Sequence, residues 1–451
     1  MAAKKLFIVS NRLPVTVDNK NQITPASGGL ITAIESYLHK SDSKTFGKVF
    51  WAGVPGCETS SWKAAVNNIK NHAFTYIPVF VPSKEYDGYY YGHSNSVLWP
   101  LFHYFPSYAE YDEKCYQNYQ SVNEHFADTL IQHIRPGDVV WIHDYHLLPL
   151  AGLLRKKIQD LTIGFFLHIP FPSFEILRMM PKKWQEEALH GMLGADLIGF
   201  HTIDYASHFL QSILTVLGLD HDRHIIHYDN RLVKVDVFPI SIDFKKFHEA
   251  FDNKQVEQSR NSLLEKMNKK KIIFSVDRLD YTKGVHNRLR AYECFLQENP
   301  GYHGNVVFIM VIVPSRDSIP KYAERKRMID EYISQINSRI GNIHWMPVIY
   351  QYSCLDFEEM LALYTSCDLA LVTPLRDGMN LVSKEFVASR KDKKGVLIIS
   401  EMAGAARELT DALTINPNDI LEMAEKIKTG LEMDEQQQKL SMENMQKRIA
   451  N

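Results

Sequence analysis

The sequence predicts an α/β protein made of two doubly wound halves, and three observations carry that expectation. Short apolar runs alternate with amphipathic stretches along almost all of the 451 residues, the signature of parallel α/β units. Several runs, such as "VVFIMVIVP" and "GVLIIS", are apolar on both faces, as strands covered by helices on both sides must be. The chain is also too long for one core. A charged stretch after "VKVDVFPISID" (233–243) separates two series of strands, which places a domain boundary near residue 240. The expected architecture is two such domains, 1–240 and 241–451, facing a central cleft, with ligands at the carboxyl ends of the strands.

In the first half the predicted strands are "KLFIVS" (5–10), "KVFWAGV" (48–54), "FTYIPVFV" (74–81), "DVVWIHD" (138–144), "TIGFFLH" (162–168) and "DLIGFH" (196–201). Helical stretches such as "GGLITAIESYLHK" and "LLPLAGLLRKK" lie between them. The stretch "FKKFHEAFDNKQVEQSRNSLLEKMNKKK" reads as one or two linking helices. In the second half the strands are "KIIFSVDRL" (271–279), "VVFIMVIVP" (306–314), "NIHWMPVIY" (342–350), "DLALVTP" (368–374) and "GVLIIS" (395–400). The last twenty residues are polar and helical.

Composition narrows the function. A net charge of −2, with 45% apolar and 23% charged residues, offers no electrostatic case for nucleic acid or a membrane surface. Any bound phosphate must be held by local arginines and lysines. The five cysteines form no CxxC pair, which fits a reducing, cytoplasmic setting better than a disulfide framework or a zinc ribbon. No run approaches the ~18 apolar residues of a membrane span, and the N-terminal apolar run is too short for a signal segment.

The chemistry gathers at strand ends. Asn11 and Arg12 close the first strand, and "TPASGGL" (24–30) gives a Gly-Gly turn whose free N–H groups suit an anion. "WIHDYHLLP" places His143, Asp144 and His146 after a strand, and "FFLHIPFP" places His168 after the next. Single histidines there are ordinarily structural. Asp144 is the stronger candidate, because a carboxylate leaving a buried strand needs a partner such as a sugar hydroxyl, and His168 gains weight beside it. In "SVDRLDYTKG" (275–284), Arg278 and Lys283 sit just before a helix start near Gly284, which suits a diphosphate. "VIVPSRD" adds Arg316. In "LRDGMNLVSKEF" (375–386), Asp377 lies on a turn and Glu385 on the following helix. The N–H groups of "GMNLV" and the Glu385 carboxylate would serve a phosphate and the two hydroxyls of a ribose, as a nucleotide sugar requires.

The Asp-x-Asp within "LDHDRH" (219–224) is weighed as a divalent-metal motif, but its charged, turn-like context argues against it. Neither a Walker sequence, nor GxGxxG, nor a GxSxG elbow occurs.

In order and at suitable spacing, "SNRLP", "SGGL", "YYYGHSNSVLWPLFHY", "WIHDYHL", "HIPFP", "DRLDYTKG", "VPSRD" and "TPLRDGMNLVSKE" resemble the signatures of the trehalose-6-phosphate synthase family over nearly the whole chain. The resemblance implies the GT-B architecture of two Rossmann-like domains. The N-terminal domain would bind the acceptor and the C-terminal domain the nucleotide sugar. The implied reaction is metal-independent transfer of glucose from UDP-glucose to glucose 6-phosphate with retention, releasing UDP and requiring no cofactor. It assigns Arg12 and Arg316 to the acceptor phosphate, Tyr90 and Trp99 to the acceptor pocket, and Asp144 to acceptor hydroxyls. His168 would touch the donor glucose, and Gly29, Arg278 and Lys283 would bind the diphosphate. Donor contacts would come from Asp377, Gly378, Met379, Asn380, Leu381 and Val382, with Glu385 on the ribose. His168, Asp144, Arg278 and Lys283 form the implied catalytic set. No carboxylate stands out as a glycosidase-style nucleophile, in keeping with a front-face mechanism in which the departing phosphate takes the acceptor proton. Family members continue into a further helix carrying a tryptophan, absent before Asn451. A homo-oligomer and a following trehalose-phosphate phosphatase domain stay open. So do two alternatives: a related transferase using GDP-glucose or a cyclitol analogue, and a catalytically silent sugar-phosphate sensor.

Overall fold

The computed structural model describes residues 4–18, 22–25, 46–66, 74–315 and 320–450, together with Ile31 and Ile34. The chain divides into two compact units, Met1–Ile240 and Ser241–Asn451.

In the first unit the strands are β1 (Lys5–Arg12), β2 (Val15–Val17), β3 (Ile23–Pro25), β4 (Lys48–Val54), β5 (Thr75–Pro78), β6 (Val139–His143), β7 (Thr162–Phe166) and β8 (Leu197–Phe200), followed by β9 (His221–Asp222), β10 (Ile225–Tyr228) and β11 (Arg231–Val237). Among the described residues, nine form one sheet in the order β5-β4-β1-β6-β7-β8-β11-β10-β9. It is parallel from β5 to β11. The interior strand β1 is buried from Leu6 through Asn11, as its unbroken apolar run requires. Leu6 and Ile8 pack with Trp51 and Trp62 to form part of the core.

In the second unit β12 (Lys271–Arg278), β13 (Val306–Val313), β14 (Val348–Tyr352), β15 (Leu369–Val372), β16 (Val396–Ser400) and β17 (Leu413–Ile415) form a parallel sheet in the order β14-β13-β12-β15-β16-β17. Phe308, Met310 and Ile312 of β13 pack with Leu289, Tyr292, Phe295 and Leu296 of the helix Val285–Glu298.

Each sheet reverses its winding direction at one place, the point where doubly wound sheets bind ligands. In the first unit this lies between β1 and β6, and in the second between β12 and β15. Arg12 ends β1, and the loops leaving β6, β12 and β15 carry Asp144, Lys283 and Asp377. The switch points therefore fall at strand ends where the motifs place candidate residues.

One predicted strand is shorter than expected, and two local features were not anticipated from the sequence. The stretch 342–350 is a strand only from Val348. Asn342 and Trp345 pair in a tight turn instead, Pro347 has no N–H to give a ladder, and the Trp345 indole donates to the Val306 carbonyl at 2.6 Å. The segment 219–237 holds a hairpin, with Asp229 and Asn230 at φ 47° and 58°. Residues Gly88–Leu98 form an eleven-residue π-helix, in which the Asn95 amide and the Ser96 hydroxyl donate to the carbonyls of Tyr90 and Tyr91. No helix among the described residues is long and apolar enough to cross a membrane.

Candidate active site

Arg12 is turned out of the sheet by a register shift between Val9 and Arg12 against β4. Close backbone approach makes this possible, since a Cβ on Gly53 would come within 2.6 Å of the Arg12 carbonyl carbon. The Trp51 indole donates to Ser10 Oγ at 2.8 Å, and that hydroxyl donates to the Arg12 carbonyl at 2.7 Å. The short helix Ser83–Asp87 and the π-helix that follows it bring Tyr86, Tyr89 and Tyr90 to this strand end. Arg12 Nε donates to Tyr86 OH at 3.2 Å, and Tyr86 and Tyr89 donate to Asn11 Oδ1 at 3.4 and 3.1 Å. The guanidinium lies 5.1 Å from the Tyr90 ring centroid, within cation–π range. Tyr90 stacks on Tyr86 and on His146, each with centroids 5.6 Å apart. Trp99 is 6% exposed and packs on His103 and Tyr145. A guanidinium held by a phenol keeps most of its donors for another ligand.

After β6, Asp144 adopts φ 77°, ψ 169°, a region that is essentially glycine-only and costs about 1–3 kcal/mol. Its N–H donates to the Phe166 carbonyl at 2.8 Å, and its Oδ1 accepts from the His168 N–H at 3.2 Å. The ends of β6 and β7 are thereby joined through the backbone. His143 Nδ1 and His168 Nε2 are 3.0 Å apart. Burial pushes the His143 imidazole down to about 3 and His168 well below its ordinary value, helped by His143 and His201. Both rings are neutral at physiological pH.

In the second unit the loop after β12 and the loop after β15 are tied together. Asp280 caps the Thr282 N–H at 2.9 Å, and the Thr282 carbonyl accepts from the Leu375 N–H at 2.7 Å. Gly284 sits at φ 66°, where a Cβ would come within 2.5 Å of the Thr373 carbonyl oxygen, so only glycine serves. The fully buried Arg288 reaches Asp277 Oδ2 at 2.7 Å, Thr373 Oγ1 at 2.8 Å and the Lys283 carbonyl at 3.1 Å. Burial raises the Asp277 carboxyl against the pull of Arg288 and Lys283.

Lys283 Nζ is paired with Asp377 Oδ2 at 2.6 Å, and Asn380 Nδ2 donates to the same oxygen at 3.1 Å. Arg278 stands exposed at the end of β12. Asn380, at φ 81° and ψ 93°, caps the helix Leu381–Ser389, its Oδ1 accepting from the Ser383 N–H at 3.1 Å. The N–H groups of Leu381 and Val382, at the helix start, have no intrahelical acceptor. One turn on, Glu385 Oε2 accepts from Tyr364 OH at 2.9 Å. Burial raises the Glu385 carboxyl, opposed by that bond and by Lys246.

The structure thus gathers Arg12, Tyr90, Asp144 and His168 at the switch point of one sheet, with Trp99 packed beneath. Lys283, Asp377 through Val382 and Glu385 meet at the other. Gly29 and Arg316 lie outside the described residues. Lys283 is engaged rather than free beside Arg278. Sequence reasoning missed Tyr86, Arg288 and Tyr364. The signal for Arg288 was an arginine on the apolar side of a helix, one turn beyond Gly284. For 219–224, Asp220 Oδ1 accepts from the His221 N–H at 2.8 Å, and Arg223 and His224 take turn conformations at φ 47° and 67°. Among the described residues no three His, Cys, Asp or Glu side chains are grouped to hold a metal ion.

The family model for glycosyltransferase family 20 matches residues 4–451. A bifunctional trehalose-6-phosphate synthase/phosphatase of Thermoproteus tenax is 45% identical over 99% of this chain, which spans 61% of that longer protein. The UDP-forming α,α-trehalose-phosphate synthase of Pichia angusta is 39% identical over 100% of this chain and 96% of its own. Among solved structures, a UDP-forming α,α-trehalose-phosphate synthase of Burkholderia xenovorans in complex with glucose-6-phosphate superposes with a TM-score of 0.88, at 30% identity over 99% of this chain and 96% of that one. An E. coli structure bound with UDP-2-fluoro glucose gives 0.89 at 31% identity, over 99% and 95%. Fold, switch-point residues and relatives agree: the chain belongs to glycosyltransferase family 20, the retaining GT-B glycosyltransferases that include the UDP-forming trehalose-phosphate synthases.

Proposed function

We propose that the chain transfers glucose from UDP-glucose to glucose 6-phosphate, forming α,α-trehalose 6-phosphate and UDP. The observation that carries this reading is the second switch point. There a lysine, an exposed arginine, a helix start with unused N–H groups and a half-buried carboxylate converge as a nucleoside diphosphate sugar requires. The first switch point supports it with an arginine on a tyrosine platform and a strained carboxylate, which suits a phosphorylated sugar.

In this reading Arg12 grips the acceptor phosphate, Tyr90 and Trp99 shape the sugar pocket, and Asp144 holds a hydroxyl. The roles of Gly29 and Arg316 rest on the motif resemblance alone. His168 meets the donor glucose, while Arg278, Lys283 and the N–H groups of Gly378–Val382 take up the charge that builds on the departing diphosphate. Glu385 accepts from the ribose. The acceptor oxygen bonds to the anomeric carbon as the bond to phosphate breaks, and the departing phosphate oxygen takes the acceptor proton. The protein contributes position and electrostatics, and the reaction uses neither metal nor cofactor. The setting is cytoplasmic, consistent with five free thiols.

The test is product analysis by NMR after incubation with UDP-glucose or GDP-glucose and glucose 6-phosphate. An α,α-linked disaccharide phosphate from UDP-glucose supports the proposal. Sugar-phosphate binding without any disaccharide would instead identify a sensor.

A further inference from the structure

We infer that His143 is a positioning residue that fixes the tautomer of His168, so that His168 presents an Nδ1–H donor. The inference deepens the proposed function and rests on its placement of His168 at the donor sugar.

One proton lies between His143 Nδ1 and His168 Nε2, 3.0 Å apart, because burial keeps both rings neutral. Two arrangements are open, since a neutral imidazole carries one N–H. If His168 Nε2 donates, the His143 proton sits on its own Nε2. That atom is buried with no hydrogen-bond partner, and an orphaned buried N–H is among the rarest features of folded proteins. If His143 Nδ1 donates, His143 Nε2 carries only an unused lone pair, a smaller cost. The second arrangement wins.

His168 Nε2 is then an acceptor, and its proton must be on Nδ1. A sugar hydroxyl meeting that atom is asked to accept. The His143 ring is wedged between Trp141, at 4.5 Å, and His168, so it cannot easily turn to offer the other nitrogen. The third ring, His201, faces His168 at 5.5 Å. Its Nδ1 accepts from the Ile240 N–H at 3.4 Å, which leaves its proton on Nε2. The strand ends themselves are joined by Asp144 backbone and carboxylate bonds, so loss of the imidazole pair need not displace them.

The test is nitrogen NMR of the full chain labelled with ¹⁵N-histidine, with His168 assigned by the signal lost in His168→Gln. The wild-type spectrum should show His168 protonated at Nδ1 and unprotonated at Nε2. In His143→Phe, which keeps an aromatic ring and removes both nitrogens, His168 should become a mixture of tautomers. Efficiency with UDP-glucose should fall about fivefold, the scale of one neutral hydrogen bond, with the KM for glucose 6-phosphate unchanged. Protonation at Nε2 in the wild type, or an unaltered tautomer in His143→Phe, overturns the inference. If the tautomer shifts while donor efficiency holds, the inference stands, and the placement of His168 at the donor sugar is what fails.

Discussion

The Lys283 ammonium and the Asp377 carboxylate are 2.6 Å apart, with their side chains 12% and 16% exposed. A diphosphate arriving at this place meets a cation that already has a partner, and Asn380 holds that partner in turn. The lysine is therefore oriented before any ligand binds. The nearby carboxylate also opposes the binding of another anion.

Opposite effects on UDP binding follow for the two partners. Lys283→Ala should weaken UDP about ten- to over a hundredfold, the loss of one charge-assisted contact of about 1.5–3 kcal/mol. Asp377→Asn should leave UDP binding at least as tight as wild type while slowing transfer, since it removes a negative charge but also a proposed donor contact. Calorimetry with UDP measures both, and equal weakening in the two variants would count against the diphosphate assignment.

Arg12→Ala should raise the KM for glucose 6-phosphate about ten- to over a hundredfold and leave UDP affinity unchanged. It should also shrink the preference for glucose 6-phosphate over glucose, because that preference rests on a charge glucose lacks. The readout is the ratio of transfer efficiencies for the two acceptors in folded protein. An unchanged ratio would mean that Arg12 only braces its strand end through Tyr86.

Glu385 makes stability depend on pH in a definite direction. Burial raises its carboxyl in the folded protein, so the folded chain holds a proton that the unfolded chain has lost. That term is fully present below the unfolded value near 4.5 and is lost as pH rises through the folded one. Glu385→Gln cannot ionise. Its stability relative to wild type should therefore improve between pH 4 and pH 7 even as UDP binding weakens. Denaturant titrations at the two pH values check this, and a relative stability that falls with pH would contradict it.

Arg288→Met should destabilise the protein by about 3–5 kcal/mol, because it leaves Asp277 buried without its partner. Adding Asp277→Asn should recover part of that loss. Chemical denaturation of the single and double variants measures the coupling, and strict additivity would show that the pair does not act together.

Much of this was legible in the sequence because short, β-branched apolar runs between helical stretches fit interior parallel strands, and charged residues at their ends have few structural uses. The strand ends at Arg12, Asp144 and Arg278 followed directly. The hairpin ending in β11 was missed although Asp229-Asn230 is a turn signal of the kind that two-residue hairpins favour. The π-helix was not legible, since its spacing leaves no periodic imprint of the usual helical kind and Tyr89 and Tyr90 reach their places through tertiary packing. Nor could spacing reveal that Lys283 and Asp377, ninety-four positions apart, would neutralise each other. That contact depends on β12 and β15 being neighbours.

The central claim is tested most directly by UDP release from UDP-glucose, measured with and without glucose 6-phosphate. The account predicts slow release alone and a strong, saturable increase on adding glucose 6-phosphate, with one trehalose 6-phosphate formed per UDP. Release that is indifferent to glucose 6-phosphate, or absent in its presence, would contradict it.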